Sequence, residues 1–297
     1  MTPQTPGERP LRGADVGIPP RQVDFRHSAD MPRWVFGDNI TATMYLTVLT
    51  GFFPPGEDFF VRSVNRYKNL VTDRKLRAEV AGFTAQEVIH SREHDRLNDV
   101  LRERGFQLDL VDRAIRAPLS LLYRLPARTQ LACTALMEHF TALLAEYTLR
   151  EAESEGGSLI HEDLRDLWLW HALEELEHKA VSYDVFELTG GKWTGWLHRL
   201  VAVPATLATV ALAGVAIDVW LVLRAGALGH RGDVVNGVRM TLGRDSVLRQ
   251  VGLRLHRFVA PNYHPNNHDT TAITARWREI LFGEHGRMVG QLRRPAA

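Results

Sequence analysis

Two short stretches, Glu87-Val-Ile-His90 and Glu175-Leu-Glu-His178, each place a glutamate three residues before a histidine in sequence of helical character. Residues three apart share one face of an α-helix, so each pair can bind one metal ion. A lone glutamate precedes each pair, Glu57 before the first and Glu138 before the second. This order of ligands is typical of a dinuclear metal site inside a four-helix bundle. The sequence therefore predicts a mainly α protein.

The positions of the predicted turns support this interpretation. The midpoint between the first lone glutamate and its pair lies beside Asp73, a good N-cap for the helix that follows. The midpoint of the second set falls at Gly156-Gly157. Residues equidistant from the turn of an antiparallel helix pair stand at the same height. Each half of the chain thus brings a glutamate level with a Glu-x-x-His pair.

Apolar spacing and punctuating residues predict four long helices and no strand of useful length. The first predicted helix covers about 38–70, with a fresh start at Pro54-Pro55-Gly56, and the second covers about 73–104 and ends at Gly105. The third runs from Pro126 to Gly156, and the fourth runs from 161–163 to Gly190-Gly191. The roughly twenty residues between the second and third helices are long enough for a crossover connection. We therefore predict an N-terminal tail at 1–35, disordered or extended, a dimetal four-helix bundle at 36–192, and an apolar helical extension packed on it at 193–297.

Composition excludes several functional classes. With 36 basic and 35 acidic residues mixed along the chain, the formal charge of +1 gives no footprint for nucleic acid. The single Cys133 excludes an internal disulfide and leaves histidine and carboxylate as the metal ligands. No apolar signal segment is apparent in the first thirty residues, and we expect a cytoplasmic protein.

The stretch from Leu200 to Leu223 is apolar over 24 residues, about 36 Å as a helix and long enough to cross a membrane. Pro204 and Asp218 oppose a membrane span. We expect a buried helix or helix pair in the core or in a homodimer interface. Membrane association through residues 200–223 is the alternative.

His171 lies four residues before Glu175 and within the same 60° sector as Glu175 and His178, so it is a further candidate ligand. The predicted metal ligands are Glu57, Glu87, His90, Glu138, His171, Glu175 and His178. Carboxylates with imidazoles suit two metal ions, iron first, with manganese or zinc as alternatives.

Two neighbouring residues are candidate acid/base groups. His94 follows His90 by four residues on the same helix face, and it should meet His171 if the second and fourth helices are antiparallel. Glu174 could replace Glu175 as a ligand or move protons. For His139 we expect a core role, and for the segment 263–269, which holds two histidines, a structural loop that could instead cover the site entrance.

Three motifs carry a family resemblance: Gly56-Glu57-Asp58-Phe59-Phe60, the stretch Phe83–His90 with His94, and Trp170-His-Ala-Leu-Glu-Glu-Leu-Glu-His178-Lys-Ala-Val. They resemble a bacterial family of predicted metal-dependent hydrolases within the ferritin-like diiron carboxylate superfamily, over about residues 35–270. The resemblance implies a ferritin-like bundle. The pattern His171-x-x-x-Glu175-x-x-His178 is similar to the three-histidine pattern of the diiron arylamine N-oxygenases.

These features leave three functions open. We place first an enzyme that activates dioxygen at two irons and acts on a small, hydrophobic organic substrate. The alternative, implied by the family label, is hydrolysis by a metal-bridged hydroxide. A third hypothesis is a ferritin-like iron-handling protein without an organic substrate.

Overall fold

The computed structural model describes residues 11–28, 30–154, 158–244 and 246–293. Within these residues the regular structure is helical apart from isolated β-bridges, which confirms the mainly α prediction. The α-helices are α1 (Ile40–Asn65), α2 (Arg74–Glu103), α3 (Leu108–Leu122), α4 (Ala127–Ala152), α5 (Glu162–His178), α6 (Val181–Leu188), α7 (Lys192–Thr206), α8 (Leu212–Arg224), α9 (Arg231–Leu242), α10 (Val247–Leu255) and α11 (Thr271–Phe282). A π-helical turn joins α7 to α8 at Leu207–Ala211, and short 3₁₀ turns lie at Gly13–Val16, Lys68–Leu70, Ala227–Gly229, His256–Val259, Pro265–Asn267 and Val289–Gln291.

Helices α1, α2, α4 and α5 pack around the central core. The strongest pairings are α1 with α2 and α4 with α5, and α2 also contacts α5. The predicted N-cap is confirmed, because the Asp73 carboxylate accepts a hydrogen bond of 2.7 Å from the Leu76 amide. The second predicted turn, Gly156-Gly157, lies outside the described residues.

Helix α1 passes through Pro54 and Pro55 without a break, so the predicted fresh start at these residues is wrong. A proline inside a helix leaves the carbonyl four residues earlier without its amide donor. For Pro54 that carbonyl belongs to Thr50, and it accepts a hydrogen bond of 3.2 Å from the Asn98 side chain of α2. Tertiary contact thus supplies a donor that the proline lacks.

The connection between α2 and α4 is itself helical. The sequence analysis predicted a crossover connection here but did not predict this helix. Gly105 ends α2 as expected, with a positive φ of 85°. Helix α3 follows directly and packs on α1 through its buried positions Leu108, Val111, Ile115 and Leu119. The spacing of three and four residues between these positions is the sequence pattern that could have predicted this helix.

The predicted fourth helix is divided. Helix α5 ends at His178, and α6 begins at Val181 after a short turn. At this turn the Lys179 ammonium donates hydrogen bonds to the His268 carbonyl, at 2.6 Å, and to the Thr270 hydroxyl, at 2.9 Å. The break therefore lies beside the segment that leads into α11.

The described part of the predicted N-terminal tail lies against the bundle. Ile18, Val23, Met31 and Val35 are buried in the core. Arg21 is also buried and reaches α5. Ordered packing from residue 11 onwards, rather than mobility, characterises the described residues of this segment.

Lys192–Arg224 forms one continuous helical segment, and we call it the apolar helix. By length and composition it could cross a membrane, with a mean hydropathy of 2.2 in its most apolar window. Only 22% of that window is buried inside the chain. The expectation of a helix buried in the core is therefore wrong, because one side of this helix faces away from the bundle.

Asp218 on the apolar helix yields a stability prediction. Burial raises the pKa of its carboxyl from 3.8 to about 6. The folded state therefore keeps the proton longer than the unfolded state, and stability is lost as pH rises from about 4 through 6. We expect Asp218→Asn to stabilise the protein by about 2–3 kcal/mol at pH 7 and to change little at pH 4. Urea unfolding at both pH values checks this; an equal gain at both would contradict it.

Candidate metal centre

The seven predicted ligands converge in one buried cluster. Glu57 comes from α1, Glu87 and His90 from α2, Glu138 from α4, and the remaining three from α5. Each of the seven residues is at most 3% exposed. The sequence predicted this convergence, whereas the assignment of these side chains as ligands stays a prediction.

Three sets of side chains could each hold an ion, because one ligand atom from each member lies within 4.8 Å of the others. The sets are Glu57 with His90 and His171, Glu87 with His90 and Glu175, and Glu87 with Glu138 and His178. The sets share His90 and Glu87. Neighbouring sets therefore have one ligand in common.

Glu175 stands between the two outer sets. Its Oε1 lies 3.0 Å from His171 Nε2 and 3.5 Å from His178 Nε2. The same oxygen lies 3.7 Å from His90 Nδ1. A carboxylate that lies close to three imidazoles in this way could hold a metal ion together with any of them.

The donor atoms of the cluster fit a metal. Buried polar atoms in proteins nearly always have a hydrogen-bond partner. Here eight buried atoms of the cluster have no such partner among the described residues, although His178 Nε2 lies 3.1 Å from Glu87 Oε1: Glu57 Oε1, both oxygens of Glu87 and of Glu138, Glu175 Oε2, His90 Nδ1 and His178 Nε2. Such a concentration of unpaired oxygen and nitrogen atoms is what bound cations would satisfy.

The charges of the cluster also favour cations. Four carboxylates share one buried volume, and no lysine or arginine of the described chain forms an ion pair with them. Burial and the neighbouring Glu87 raise the pKa of Glu57 and of Glu138 well above the ordinary value. Burial alone would raise the pKa of Glu175, but His178 and His171 lower it well below that value. Two divalent ions would balance four carboxylates.

Each of the three imidazoles has one nitrogen held and the other directed at the cluster. His90 Nε2 lies 3.0 Å from Glu174 Oε2, and His178 Nδ1 lies 3.0 Å from Gln86 Oε1. His171 Nδ1 lies 2.7 Å from His94 Nε2. A neutral ring that donates from the held nitrogen keeps a lone pair on the other one for a metal.

The predicted acid/base groups lie behind these imidazoles. His94 has His171 on one nitrogen and the Thr50 hydroxyl on the other, at 2.8 Å. Glu174 accepts hydrogen bonds of 2.8 Å from Arg21 and 2.9 Å from the Trp170 indole. Both therefore orient imidazoles, because their polar atoms are engaged away from the cluster. Burial raises the pKa of Glu174 to about 8, although Arg21 acts in the opposite direction.

A buried ion-pair network continues outward from α5. Glu177 binds Arg21 through two hydrogen bonds of 2.8 Å and accepts another of 2.9 Å from Arg278 of α11. Gln86, which holds His178, donates to Glu177 at 3.1 Å. The N-terminal segment and α11 are thus connected to the cluster through one carboxylate.

The comparisons with known proteins agree with this geometry. The model of the family described as predicted metal-dependent hydrolases matches residues 19–269. The chain belongs to this metal-dependent hydrolase family. The matched region contains all seven clustered side chains, together with His94 and Glu174. No curated protein and no solved structure matches significantly.

A cavity of about 240 Å³ lies beside α4 and α5 of this hydrolase-family chain. Its walls include Ala142 of α4 and Lys179 at the end of α5, but none of the seven cluster residues. The loop that contains His264 and His268 forms another part of its lining.

The two histidines of that loop have structural partners. His264 Nε2 lies 2.8 Å from the Asp184 carboxylate, and His268 Nε2 lies 2.6 Å from that of Glu146. The expectation of a structural loop therefore agrees with the contacts. The loop also lines the cavity, whereas its alternative role, to cover the site entrance, stays a prediction. His139 is buried against Phe258 and Tyr263, consistent with its expected core role.

Several residues of the centre were not predicted. Gln86 could have been found, because it directly precedes Glu87 on the same helix. Arg21 and Thr50 offered no signal, since their contacts depend on tertiary packing. Aromatic side chains also close the cluster: the Phe53 ring lies 4.3 Å from that of His171, and the Phe83 ring 5.1 Å from that of His178.

His94 gives a test of imidazole orientation. We expect His94→Leu to weaken metal affinity about 10- to 100-fold, because His171 loses the acceptor that fixes its ring. Metal titration by calorimetry measures this effect. His139→Leu is the matched control, since His139 is another buried helical histidine that does not contact the cluster. Equal affinities in the two variants would contradict the orienting role.

Proposed function

We propose that this chain is a hydrolase with a dinuclear metal centre, formed by Glu57, His90 and His171 on one side and by Glu87, Glu138 and His178 on the other. Glu175 is within reach of both sets. The observation that carries the proposal is the group of eight unpartnered ligand atoms in a fully buried cluster. The family description supports hydrolysis over the dioxygen activation that the sequence alone placed first.

Two metal ions bound there would polarise a carbonyl or phosphoryl oxygen of the substrate and lower the pKa of water. The protein's own contribution is positional. Glu174, Gln86 and His94 fix the three imidazoles. Phe53, Phe83 and Trp170 line the cluster with aromatic rings and limit the access of bulk water.

The substrate side of the proposal rests on the cavity beside α4 and α5. Its lining combines apolar side chains with basic ones, Lys179, Arg254 and Arg257. One arginine is partly neutralised, because Arg254 lies 3.4 Å from Glu146. We propose that a small organic molecule binds here.

Dioxygen activation is the second candidate, because four carboxylates and three imidazoles are also a donor set that suits two irons. The identity of the metal decides between the two chemistries. Zinc and manganese can support hydrolysis without oxygen, whereas an oxygenase requires reduced iron and dioxygen.

The deciding experiment is an anaerobic assay of the full chain, stripped of metal and reloaded separately with zinc, manganese or ferrous iron. A panel of carboxylic esters, amides and phosphate esters serves as substrates. We expect hydrolysis with zinc or manganese in the absence of oxygen. Glu87→Ala should abolish it, while Glu103→Ala, an exposed glutamate on the same helix, should not.

Two outcomes would overturn the proposal. Oxygen consumption and turnover with iron alone would favour an oxygenase. Uptake of many irons per chain without turnover of any substrate would favour the iron-handling hypothesis.

A further inference from the structure

The apolar helix has one packed side and one exposed side. Its buried positions form a stripe with steps of three, four or seven residues that continues to Leu221: Gly195, Arg199, Ala202, Thr206, Val210, Ile217 and Leu221. The other side exposes large apolar side chains, with exposed fractions that are unusual for such residues: Leu197 53%, Val201 50%, Leu212 63%, Val215 62% and Val219 52%. A patch of this kind marks an interaction surface.

The exposed side continues onto the following elements. Leu228 is 67% exposed, and Val235 and Leu242 of α9 are 57% and 59% exposed. At the beginning of the apolar helix, Trp193 is 77% exposed. We call the exposed apolar side chains from Trp193 to Leu242 the apolar face.

The region that carries the apolar face is also basic. Residues 192–242 contain five lysines and arginines, of which Arg199 is buried, and two acidic residues, a net charge of +3. The rest of the chain contains 31 basic and 33 acidic residues, a net charge of −2. Apolar side chains among basic ones are typical of segments that lie on anionic membranes.

The packing determines how a membrane could meet this surface. The buried stripe runs from Gly195 to Leu221, so the bundle accompanies the helix for about 39 Å. A bilayer around the helix would have to take up α1, α3 and α4 as well, with charged side chains such as Arg62 and Arg116. Lipid can therefore reach only the outer side, and the helix must lie along the surface.

A second copy of the chain fits this face less well. A two-fold interface would set the same patch against itself, and two regions of charge +3 would face each other. Anionic headgroups offer the complementary charge instead, because they attract lysines and arginines close to the membrane surface.

We propose that the apolar face rests on the surface of an anionic lipid bilayer, with the apolar helix parallel to the membrane plane. The metal cluster stays in the bundle on the other side of the helix. This inference concerns location and does not depend on which reaction the centre catalyses.

Vesicle flotation with the full chain tests the proposal. We expect binding to vesicles of phosphatidylcholine with phosphatidylserine, weak binding to phosphatidylcholine alone, and release at high salt because screening weakens the charge contribution. Val215→Glu should reduce binding at least tenfold. Val88→Glu is the matched control, since Val88 is 56% exposed on α2, away from the apolar face.

Circular dichroism and metal content should be the same in both variants, which separates loss of binding from loss of fold. A chain that stays in solution with every vesicle type would overturn the proposal. A stable dimer that Val215→Glu dissociates would do so as well, because a second copy would then cover the face.

The packed side of the apolar helix borders a second cavity. This cavity, of about 270 Å³, lies between the apolar helix, α1 and α4. Its walls are almost entirely apolar and include Phe52, Met137, Phe140 and Val210. A methyl group added at Gly214, in the same wall, would meet no atom within 4 Å.

Three buried polar atoms belong to the lining residues, Tyr45 Oη, Thr206 Oγ1 and Asp218 Oδ1, and none has a hydrogen-bond partner among the described residues. The wall also includes part of the π-helical turn at Leu207–Ala211, a distortion that is frequent at functional sites. An apolar cavity with a few polar groups is the usual form of a small-molecule site.

We infer that this cavity binds a hydrocarbon chain that carries a hydroxyl or carboxyl group, with Tyr45 and Asp218 as partners for the polar end. The fluorescent fatty acid cis-parinaric acid is a suitable probe. We expect saturable fluorescence enhancement with the full chain and a loss of at least tenfold in affinity for Val210→Trp, which fills the cavity. Val219→Trp, on the exposed side of the same helix, should bind as the wild type does.

Equal binding by the two variants would overturn the assignment, and so would the absence of saturable binding by the wild type. Both results would leave the proposed hydrolase untouched, because the probe reports occupancy of the cavity and not turnover.

Discussion

The Glu138→Gln variant is expected to lose the stabilisation that metal gives the wild type, while its metal-free form melts above metal-free wild type. Both oxygens of Glu138 are buried without a hydrogen-bond partner in the described chain, and burial with the neighbouring Glu87 raises its pKa. Glutamine replaces that carboxyl with an amide of the same shape. The metal-free cluster therefore gains stability, and a bound metal would lose one ligand.

The size of the effect follows from mass action. A ligand present at 1,000 times its dissociation constant stabilises a protein by about 4 kcal/mol, which shifts the melting temperature of a domain of this size by roughly 8–16 °C. Differential scanning fluorimetry with and without zinc or manganese measures it. We expect the full shift for wild type and for Glu103→Gln, and a shift of a few degrees at most for Glu138→Gln. A full shift in Glu138→Gln would contradict the assignment of this ligand.

Replacement of Arg21 by alanine should destabilise the protein by about 3–5 kcal/mol, since removal of one partner leaves a buried charge uncompensated. Arg21 binds Glu174 and Glu177 at 2.8 Å, and neither carboxylate side chain is exposed. Because Glu174 holds His90, the variant should also bind metal about 10- to 100-fold more weakly.

Urea unfolding and metal titration measure these two effects. Arg26→Ala is the matched control, because the Arg26 side chain is 91% exposed in the same segment, and it should change stability by less than about 0.5 kcal/mol. The double variant Arg21→Ala with Glu177→Gln should recover part of the lost stability, since it removes the buried carboxylate that loses Arg21 as a partner. If the double variant is as unstable as the sum of the single variants, the charge explanation fails.

The cluster was predictable because its geometry is local to helices. The spacing of Glu87 and His90, and of Glu175 and His178, fixes which side chains share a helix face. The position of Asp73 then placed Glu57 level with its pair. These constraints depend on residues three or four apart in the sequence. Tertiary packing then only had to bring the ligand-bearing helix faces together.

The remaining features depend on contacts between distant residues. Pro54 predicts a break by local rules, but the Asn98 side chain supplies a donor to the freed carbonyl of Thr50. Arg21 lies 153 residues from Glu174, and no spacing rule connects them. The apolar helix has the composition of a buried element, so its exposed side became visible only when the neighbouring helices were placed.

Anomalous diffraction from crystals of the metal-loaded protein would locate the bound ions. We expect two peaks in the buried cluster, about 3.5–4 Å apart. One should lie among Glu57, His90 and His171, and the other among Glu87, Glu138 and His178. A single peak, or peaks confined to surface histidines with the cluster side chains unliganded, would contradict it.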